Sequence, residues 1–199
     1  MKSHARVVVI GGGVVGVSTL YHLTRKGWSD VVLLERTELT AGSTWHAAGL
    51  LPLFNMSYTV GQLHKYSVDL YKRLPAETGQ DVSFHVTGNL RLATCRDRMD
   101  EYRKYCGTAN TIGVPFQLIS PAEVKELWPL VNLGGDADTP AVIGALYHPD
   151  DGHIAPADLT MALRKAARAA GAEINEQTEV TGAVQLPSGE WKLTTNKGE

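Results

Sequence analysis

A glycine fingerprint lies between an apolar run and a helical pattern near the start of the chain. The run Val7-Val8-Val9-Ile10 is apolar throughout, which is typical of a strand buried on both faces of a parallel sheet. It leads into Gly11-Gly12-Gly13-Val14-Val15-Gly16, and residues 14–26 then have a mostly apolar helical face. A second apolar run at residues 31–34 ends in Glu35. This order of strand, turn, helix, strand and acid predicts a dinucleotide-binding unit.

Each part of the fingerprint has a physical role. Gly11 permits a tight turn, Gly13 lets a pyrophosphate approach the backbone, and Gly16 lets the helix pack close to the strand. The phosphates are expected at the helix N-terminus, where free N–H groups and the macrodipole favour an anion. Glu35 is expected to accept hydrogen bonds from the adenosine ribose, and its charge disfavours the 2′-phosphate of NADP. The fingerprint alone leaves both NAD and FAD open.

A second motif follows at residues 39–50, Leu-Thr-Ala-Gly-Ser-Thr-Trp-His-Ala-Ala-Gly-Leu. Its small residues allow the chain to run close to a ligand. Ser43 and Thr44 offer hydroxyl and N–H groups to phosphate or ribityl oxygens, and Trp45 and His46 are the bulky side chains beside them. The segment favours FAD, because an NAD enzyme would have no use for it.

With these motifs the chain resembles the dimethylglycine and sarcosine dehydrogenases. These belong to the D-amino-acid-oxidase-type superfamily of FAD-dependent amine oxidoreductases. The resemblance runs through the whole chain and is most specific at residues 35–50. It extends to Glu77-Thr78-Gly79, to Gly88-Asn89-Leu90-Arg91-Leu92-Ala93-Thr94 and to Asp150-Asp151-Gly152-His153-Ile154-Ala155-Pro156.

The resemblance implies a covalent FAD. In that family the histidine of the Thr-Trp-His-Ala-Ala-Gly run is bonded to the flavin 8α-methyl, which places this role on His46. It also implies a small N-methylated amine, dimethylglycine or sarcosine, as substrate, and a flavoprotein carrier or oxygen as electron acceptor. Backbone groups of Val180 would meet the adenine edge. The predicted cofactor contacts are Gly11, Gly13, Val15, Gly16, Glu35, Arg36, Ser43, Thr44, His46, Ala48, Gly49, Leu50 and Val180.

The predicted fold class is α/β, a Rossmann-like FAD/NAD(P)-binding domain with a partial second α+β substrate domain. Residues 1–55 and 150–199 are assigned to the FAD-binding domain, which is incomplete at its C-terminal end. Residues 56–149 mix strand and helix patterns and are assigned to a substrate or cap domain. Residues 172–184 are predicted to be one strand returning to the parallel sheet, and residues 191–195 its partner.

Several local patterns carry further predictions. Thr59-Val60-Gly61-Gln62 and Ser120-Pro121-Ala122-Glu123 both match a capping box, and the first predicts a helix ending near Leu74. Residues 97–112 predict a charged helix that looks exposed. His148 and His153 flank a turn, which we favour over a metal site because nothing in the sequence brings a ligand set together.

The composition excludes several classes of function. The net charge is -2, without a basic run, and this predicts no nucleic-acid partner. No apolar stretch is long enough to span a bilayer, so no membrane association and a cytoplasmic location are expected. Cys95 and Cys106 fit neither a disulfide framework nor a zinc motif.

The chain ends on a turn signal, Asn196-Lys197-Gly198-Glu199, with no strand after it. We therefore expect these 199 residues to be the N-terminal portion of a longer enzyme. Three hypotheses remain open from the sequence: an FAD-dependent amine dehydrogenase, an NAD-binding Rossmann enzyme, and a truncated, non-catalytic dinucleotide-binding fragment.

Overall fold

The structure, a computed structural model, describes residues 2–198. In chain order its elements are β1 (Val7–Ile10), α1 (Val14–Arg25), β2 (Val31–Leu34), β3 (Leu50–Leu51), α2 (Tyr58–Thr78), β4 (His85–Val86), β5 (Asn89–Ala93), α3 (Arg96–Ile112), β6 (Gln117–Ile119), α4 (Pro121–Leu127), β7 (Gly144–His148), β8 (Gly152–His153), α5 (Pro156–Ala169), β9 (Glu173–Asn175), β10 (Val180–Gln185) and β11 (Trp191–Thr195). They form two compact units. The first takes in the chain up to Gly49, Arg73–Ser83 and the chain from Ile154 onward, and the second holds Leu50–Lys72 and Phe84–His153.

The first unit is built on a parallel sheet in the order β1-β2-β9. Val7 pairs with Val31 and Val32 pairs with Glu173, so both neighbouring strands run beside β2 in the same direction. All four residues of β2 are buried, as the apolar run predicts for a central strand. Helix α1 packs against α5, and each buries its apolar stripe, including Leu20 and Leu163. The predicted Rossmann-like α/β class is confirmed.

The prediction of one strand over residues 172–184 is wrong. The parallel strand β9 ends at Asn175, and Gln177 takes a left-handed φ of 56°. The N–H groups of Gln177 and Thr178 donate to the carbonyl oxygens of Thr37 and Glu35 at 2.8 and 2.7 Å. These bonds turn the chain over the end of β2, and β10 then pairs antiparallel with β11 as a separate hairpin.

The second unit contains two antiparallel sheets of three strands, in the orders β3-β8-β4 and β5-β7-β6. Helix α4 follows β6 and begins with the predicted capping box. The Ser120 hydroxyl accepts a bond from the Glu123 N–H, and the Glu123 carboxylate accepts one from the Ser120 N–H at 2.7 Å. The local sequence is sufficient to set this helix start, because both partners lie within one turn.

Helix α3 contributes much of the core of the second unit. Its buried residues are Met99, Tyr102, Tyr105, Ala109 and Ile112. The prediction that this helix is exposed therefore holds only for its charged face.

Three polar side chains are enclosed in or beside this core. Tyr105 and His148 are 0% exposed and Asp151 is 1% exposed. His148 Nε2 lies 3.0 Å from the Tyr105 hydroxyl, and Asp151 Oδ1 accepts a 2.9 Å bond from the Leu53 N–H. His148 Nδ1 and Asp151 Oδ2 are buried without a partner among residues 2–198.

Helix α2 differs from its prediction at both ends. It begins at Tyr58 rather than after Thr59, and the Ser57 hydroxyl faces the Val60 N–H at 3.5 Å. It also continues through Pro75 to Thr78.

No helix within residues 2–198 combines the length and the hydropathy needed to cross a membrane.

Candidate functional site

An open depression of about 230 Å³ lies at the carboxyl ends of β1 and β2 in the first unit. In open α/β sheets, ligands bind beside the carboxyl ends of the strands. The depression brings together four of the predicted contacts, which are Gly11, Glu35, Arg36 and Val180, although Val180 is far from the others in sequence. The residues that line it are Ile10, Gly11, Leu34, Glu35, Arg36, Thr178, Glu179 and Val180.

The glycines of the fingerprint have the geometry that the sequence predicts. Gly11 has a φ of 105°, and a Cβ added there would meet no atom within 4 Å. The space beside it is therefore open to a ligand. A Cβ on Gly16 would lie 2.0 Å from the Gly11 carbonyl oxygen, so α1 approaches the end of β1 too closely for any side chain.

Glu35 is held as a carboxylate at the end of β2. Its Oε2 accepts a 2.6 Å bond from the Gly12 N–H, and its Oε1 accepts a 2.9 Å bond from the Thr37 N–H. Partial burial works against the charged form, but these hydrogen bonds outweigh it and hold the pKa of Glu35 below its usual value. The carboxylate is therefore ready to accept further hydrogen bonds from ribose hydroxyls.

Thr44 contacts the start of helix α1. Its hydroxyl accepts a 2.9 Å hydrogen bond from the Val14 N–H, and its side chain is buried. Val14 is the first residue of the helix, so its N–H has no intrahelical acceptor, and Thr44 supplies the oxygen from the second motif. The sequence had assigned this hydroxyl to the cofactor. In the structure it joins the second motif to the N-terminus of helix α1.

We expect Thr44→Val to destabilise the chain by about 1 kcal/mol, because the Val14 N–H loses its acceptor while the side-chain volume is kept. Urea unfolding measures this change. Thr44→Ser retains the hydroxyl and is the matched control, with an expected loss of less than half as much. Equal losses in the two variants would mean that the hydrogen bond contributes nothing.

The segment between Thr40 and Gly49 is fixed at both ends. The Leu39 N–H donates to Glu176 Oε2 at 3.2 Å, and the Ile154 N–H donates to the Gly49 carbonyl at 2.9 Å. Thr40 has a left-handed φ of 70°, a strained conformation for a β-branched residue, and its N–H donates to the Gly12 carbonyl. These contacts set the path of the second motif across the dinucleotide end of the sheet.

His46 is exposed on this segment beside Trp45, with the two ring centroids 4.5 Å apart. Its Nδ1 lies 3.1 Å from the Gly42 carbonyl oxygen. A carbonyl can only accept a hydrogen bond, so this contact places the proton on Nδ1. The lone pair of the neutral ring is then on Nε2, which makes Nε2 the nitrogen able to form a bond with a ligand.

The other predicted contacts do not line the depression. Val15, Ser43 and Ala48 are exposed in the first unit. Leu50 belongs to the second unit, where it is 67% exposed on β3.

Sequence reasoning did not select Thr178 or Glu179, which line the depression. They lie there because the chain turns at Gln177, and no local sequence signal predicts that turn. The residues at the depression fit the ADP half of a dinucleotide, since they combine a charged carboxylate with an open glycine turn that leads into the N-terminus of α1.

A protein-family model described as "FAD dependent oxidoreductase" matches residues 6–199. Mitochondrial dimethylglycine dehydrogenase of Rattus norvegicus is 44% identical over 99% of this chain, and mitochondrial sarcosine dehydrogenase of Homo sapiens is 42% identical over 92%. Among solved structures, L-proline dehydrogenase from P. horikoshii is similar over the full chain, with a TM-score of 0.88 and 32% identity.

These similarities cover only part of the relatives. The chain spans 22% of the rat dimethylglycine dehydrogenase, 19% of the human sarcosine dehydrogenase and 50% of the L-proline dehydrogenase chain.

Proposed function

The chain belongs to the family of FAD dependent oxidoreductases, and from this membership we propose that it is the FAD-binding part of an N-methylglycine dehydrogenase or oxidase. The proposed substrate is dimethylglycine or sarcosine, and the proposed tether of the FAD is His46. The observation that carries the proposal is the fixed segment between Thr40 and Gly49. It presents the free Nε2 of His46 from the same unit that forms the ADP depression.

The residues of the chain have separate tasks in this scheme. Beyond Val14, whose N–H donates to Thr44, the first N–H groups of α1 lack intrahelical partners and would hold the pyrophosphate. Glu35 would accept hydrogen bonds from the ribose, and backbone groups at Val180 would meet the adenine. Gly42 would hold His46 in the tautomer that leaves Nε2 able to bond to the cofactor.

Bound flavin supplies a hydride acceptor, so the N-methyl group of a neutral amine can be oxidised over it. Water then adds to the oxidised carbon, which leaves as formaldehyde with the demethylated amine. No side chain among residues 2–198 is assigned as a general base, because the neutral amine needs none for this hydride transfer.

We expect the chain incubated with FAD to keep a visible flavin spectrum after acid precipitation, and His46→Asn to lose it from the pellet. The tether requires the Nε2 lone pair, which the asparagine amide lacks. His4→Asn, at an exposed histidine outside the site, is the control and is expected to keep the flavin. Flavin that remains in the acid pellet of His46→Asn would refute the assignment.

The substrate is tested separately on the complete enzyme. Dimethylglycine and sarcosine are expected to bleach the flavin absorbance without oxygen and to release formaldehyde. Glycine betaine is the matched non-substrate, because its quaternary nitrogen has no lone pair to support hydride loss. Bleaching by neither amine would reject the substrate class, whatever the outcome for His46.

A non-catalytic nucleotide-binding role is the second candidate for the chain by itself. It is supported by the depression, whose lining residues all belong to the first unit. FAD uptake by the chain without any reduction of the flavin by either amine is the outcome expected of this role.

The electron acceptor and the location are also proposals. A flavoprotein carrier or oxygen is proposed as acceptor, which stopped-flow reoxidation tests. A cytoplasmic location is proposed, which cell fractionation tests.

A further inference from the structure

Two histidines face each other across neighbouring antiparallel strands of the second unit. His85 on β4 is the direct register partner of His153 on β8. Directly opposed residues of an antiparallel pair project to the same face of the sheet. Both residues are exposed, and their ring centroids are 5.1 Å apart with an interplanar angle of 35°. The sequence associated His153 with His148, whereas the fold places it beside His85.

Neither ring has another structural task in the described part of the chain. Within residues 2–198, no hydrogen bond or ion pair engages the side chain of His85 or His153, while the imidazole of His148 is enclosed beside Tyr105. Each neutral ring of the pair therefore has a nitrogen lone pair available to an external ligand. The strands also approach closely here, because a Cβ on Gly152 would lie 2.1 Å from the His85 carbonyl oxygen.

The spacing of the rings matches that of two imidazoles on one tetrahedral ion. A zinc–nitrogen bond of about 2.0–2.1 Å, plus about an ångström from the nitrogen to the ring centre, puts each centroid about 3.2 Å from the ion. Two such rings at a tetrahedral angle have centroids about 5.2 Å apart. The observed separation is 5.1 Å.

We propose that His85 and His153 form a two-histidine binding site for a divalent transition-metal ion, with Zn²⁺ as the ion that fits the spacing. Imidazole is a preferred ligand of this class of metal. Among residues 2–198 no cluster of three or more His, Cys, Asp or Glu side chains is placed to hold a metal. The other coordination positions would be open to water or to an external carboxylate or amine. The proposal does not use the proposed flavin chemistry, although His153 is also the register partner of Leu50, one of the predicted cofactor contacts.

Isothermal titration of the chain with Zn²⁺ tests the proposal. We expect one bound equivalent, and a loss of affinity of roughly tenfold or more in His85→Gln and in His153→Gln, because each removes one arm of the chelate. His4→Gln is the matched control and is expected to leave the affinity unchanged. Equal affinity in the wild type and both site variants would overturn the proposal, as would loss of binding in His4→Gln.

Electron paramagnetic resonance with Cu²⁺ as the probe gives a second readout that does not depend on stability. Two equivalent imidazole nitrogens are expected to couple to the copper in the wild type, and one in each single variant. A pair that is only stacked would give the same single-nitrogen signal in all three proteins. That result would also overturn the proposal.

Discussion

Replacing Gly16 with alanine is expected to destabilise the chain and to lower its affinity for FAD at least tenfold. Two effects oppose each other at this position. Alanine is favoured over glycine inside a helix by about 1 kcal/mol. The new Cβ would, however, lie 2.0 Å from the Gly11 carbonyl oxygen, and no rotamer change relieves a clash with backbone.

Overpacking of this kind costs about 1–3 kcal/mol or more, so the clash outweighs the gain in helix propensity. The strand end and the helix must move apart, and the N–H groups that would hold the pyrophosphate move with them. The expected net loss of stability is about 1–2 kcal/mol. Urea unfolding measures this loss, and quenching of FAD fluorescence measures the affinity.

Gly42→Ala is the matched control for this prediction. Gly42 lies in the second motif, outside helix α1, its φ lies outside the left-handed region, and no atom lies within 4 Å of an added Cβ. Its stability is expected to stay within about 0.5 kcal/mol of the wild type. If Gly16→Ala matched Gly42→Ala in both stability and affinity, close packing at Gly16 would not be what the fingerprint requires.

The parts of the fold that could be predicted are those that local sequence determines. The apolar run at Val7–Ile10 and the glycines after it predict the strand, the turn and the start of α1, and the structure confirms all three. The capping box at Ser120 is also confirmed, because its hydrogen bonds join residues three positions apart. The same pattern at Thr59 is wrong, since the chain there has a competing hydroxyl at Ser57, one residue before the helix.

The parts that could not be predicted depend on partners distant in sequence. The turn at Gln177 needs the carbonyl oxygen of Thr37, and the pattern of residues 172–184 contains no sign of it. In the site, the hydroxyl of Thr44 was expected to face a ligand, but the Val14 N–H, at the first position of α1, has no acceptor within the helix. An acceptor therefore has to come from elsewhere in the fold.

The second large expected effect concerns His148 and Asp151, the buried titratable side chains of the second unit. Each makes the stability of the chain depend on pH, and the two dependences are opposite in sign. Burial lowers the pKa of His148 to about 4, and the positive charge of Arg91 acts in the same direction. Burial raises the pKa of Asp151 to about 6, against the Leu53 N–H and the charge of Arg91, which lower it. Both residues are thus held largely neutral near pH 5.

The two shifts contribute to stability with opposite signs. The folded-state pKa of His148 lies below its unfolded value, so its contribution is present above pH 6.5 and is lost as the pH falls toward 4. The folded-state pKa of Asp151 lies above its unfolded value, so its contribution is present below pH 3.8 and is lost as the pH rises through 6. Each amounts to roughly 3 kcal/mol, and in the wild type they nearly cancel between pH 4 and 6.

Substituting either residue alone is expected to make the change of unfolding free energy with pH measurable, because the opposite contribution no longer cancels it. Asp151→Asn lacks the contribution that Asp151 makes to the wild type at low pH, so its stability relative to the wild type should fall by roughly 3 kcal/mol as the pH is lowered from 6 to 4. His148→Gln lacks the contribution that His148 makes to the wild type at higher pH, so its relative stability should fall by a similar amount as the pH is raised from 4 to 6.5. Each comparison is made with the wild type at the same pH, so the titration of surface carboxylates cancels.

Urea unfolding at pH 4, 5, 6 and 7 measures the three proteins, and the double variant Asp151→Asn/His148→Gln is the control. Its stability should follow the pH dependence of the wild type, because both opposed titrations are absent from it. Single variants that both run parallel to the wild type would show that neither group is held neutral by the fold. Slopes of the same sign in the two variants would contradict the assignment of the charged and neutral forms, since burial must act oppositely on an acid and on a base.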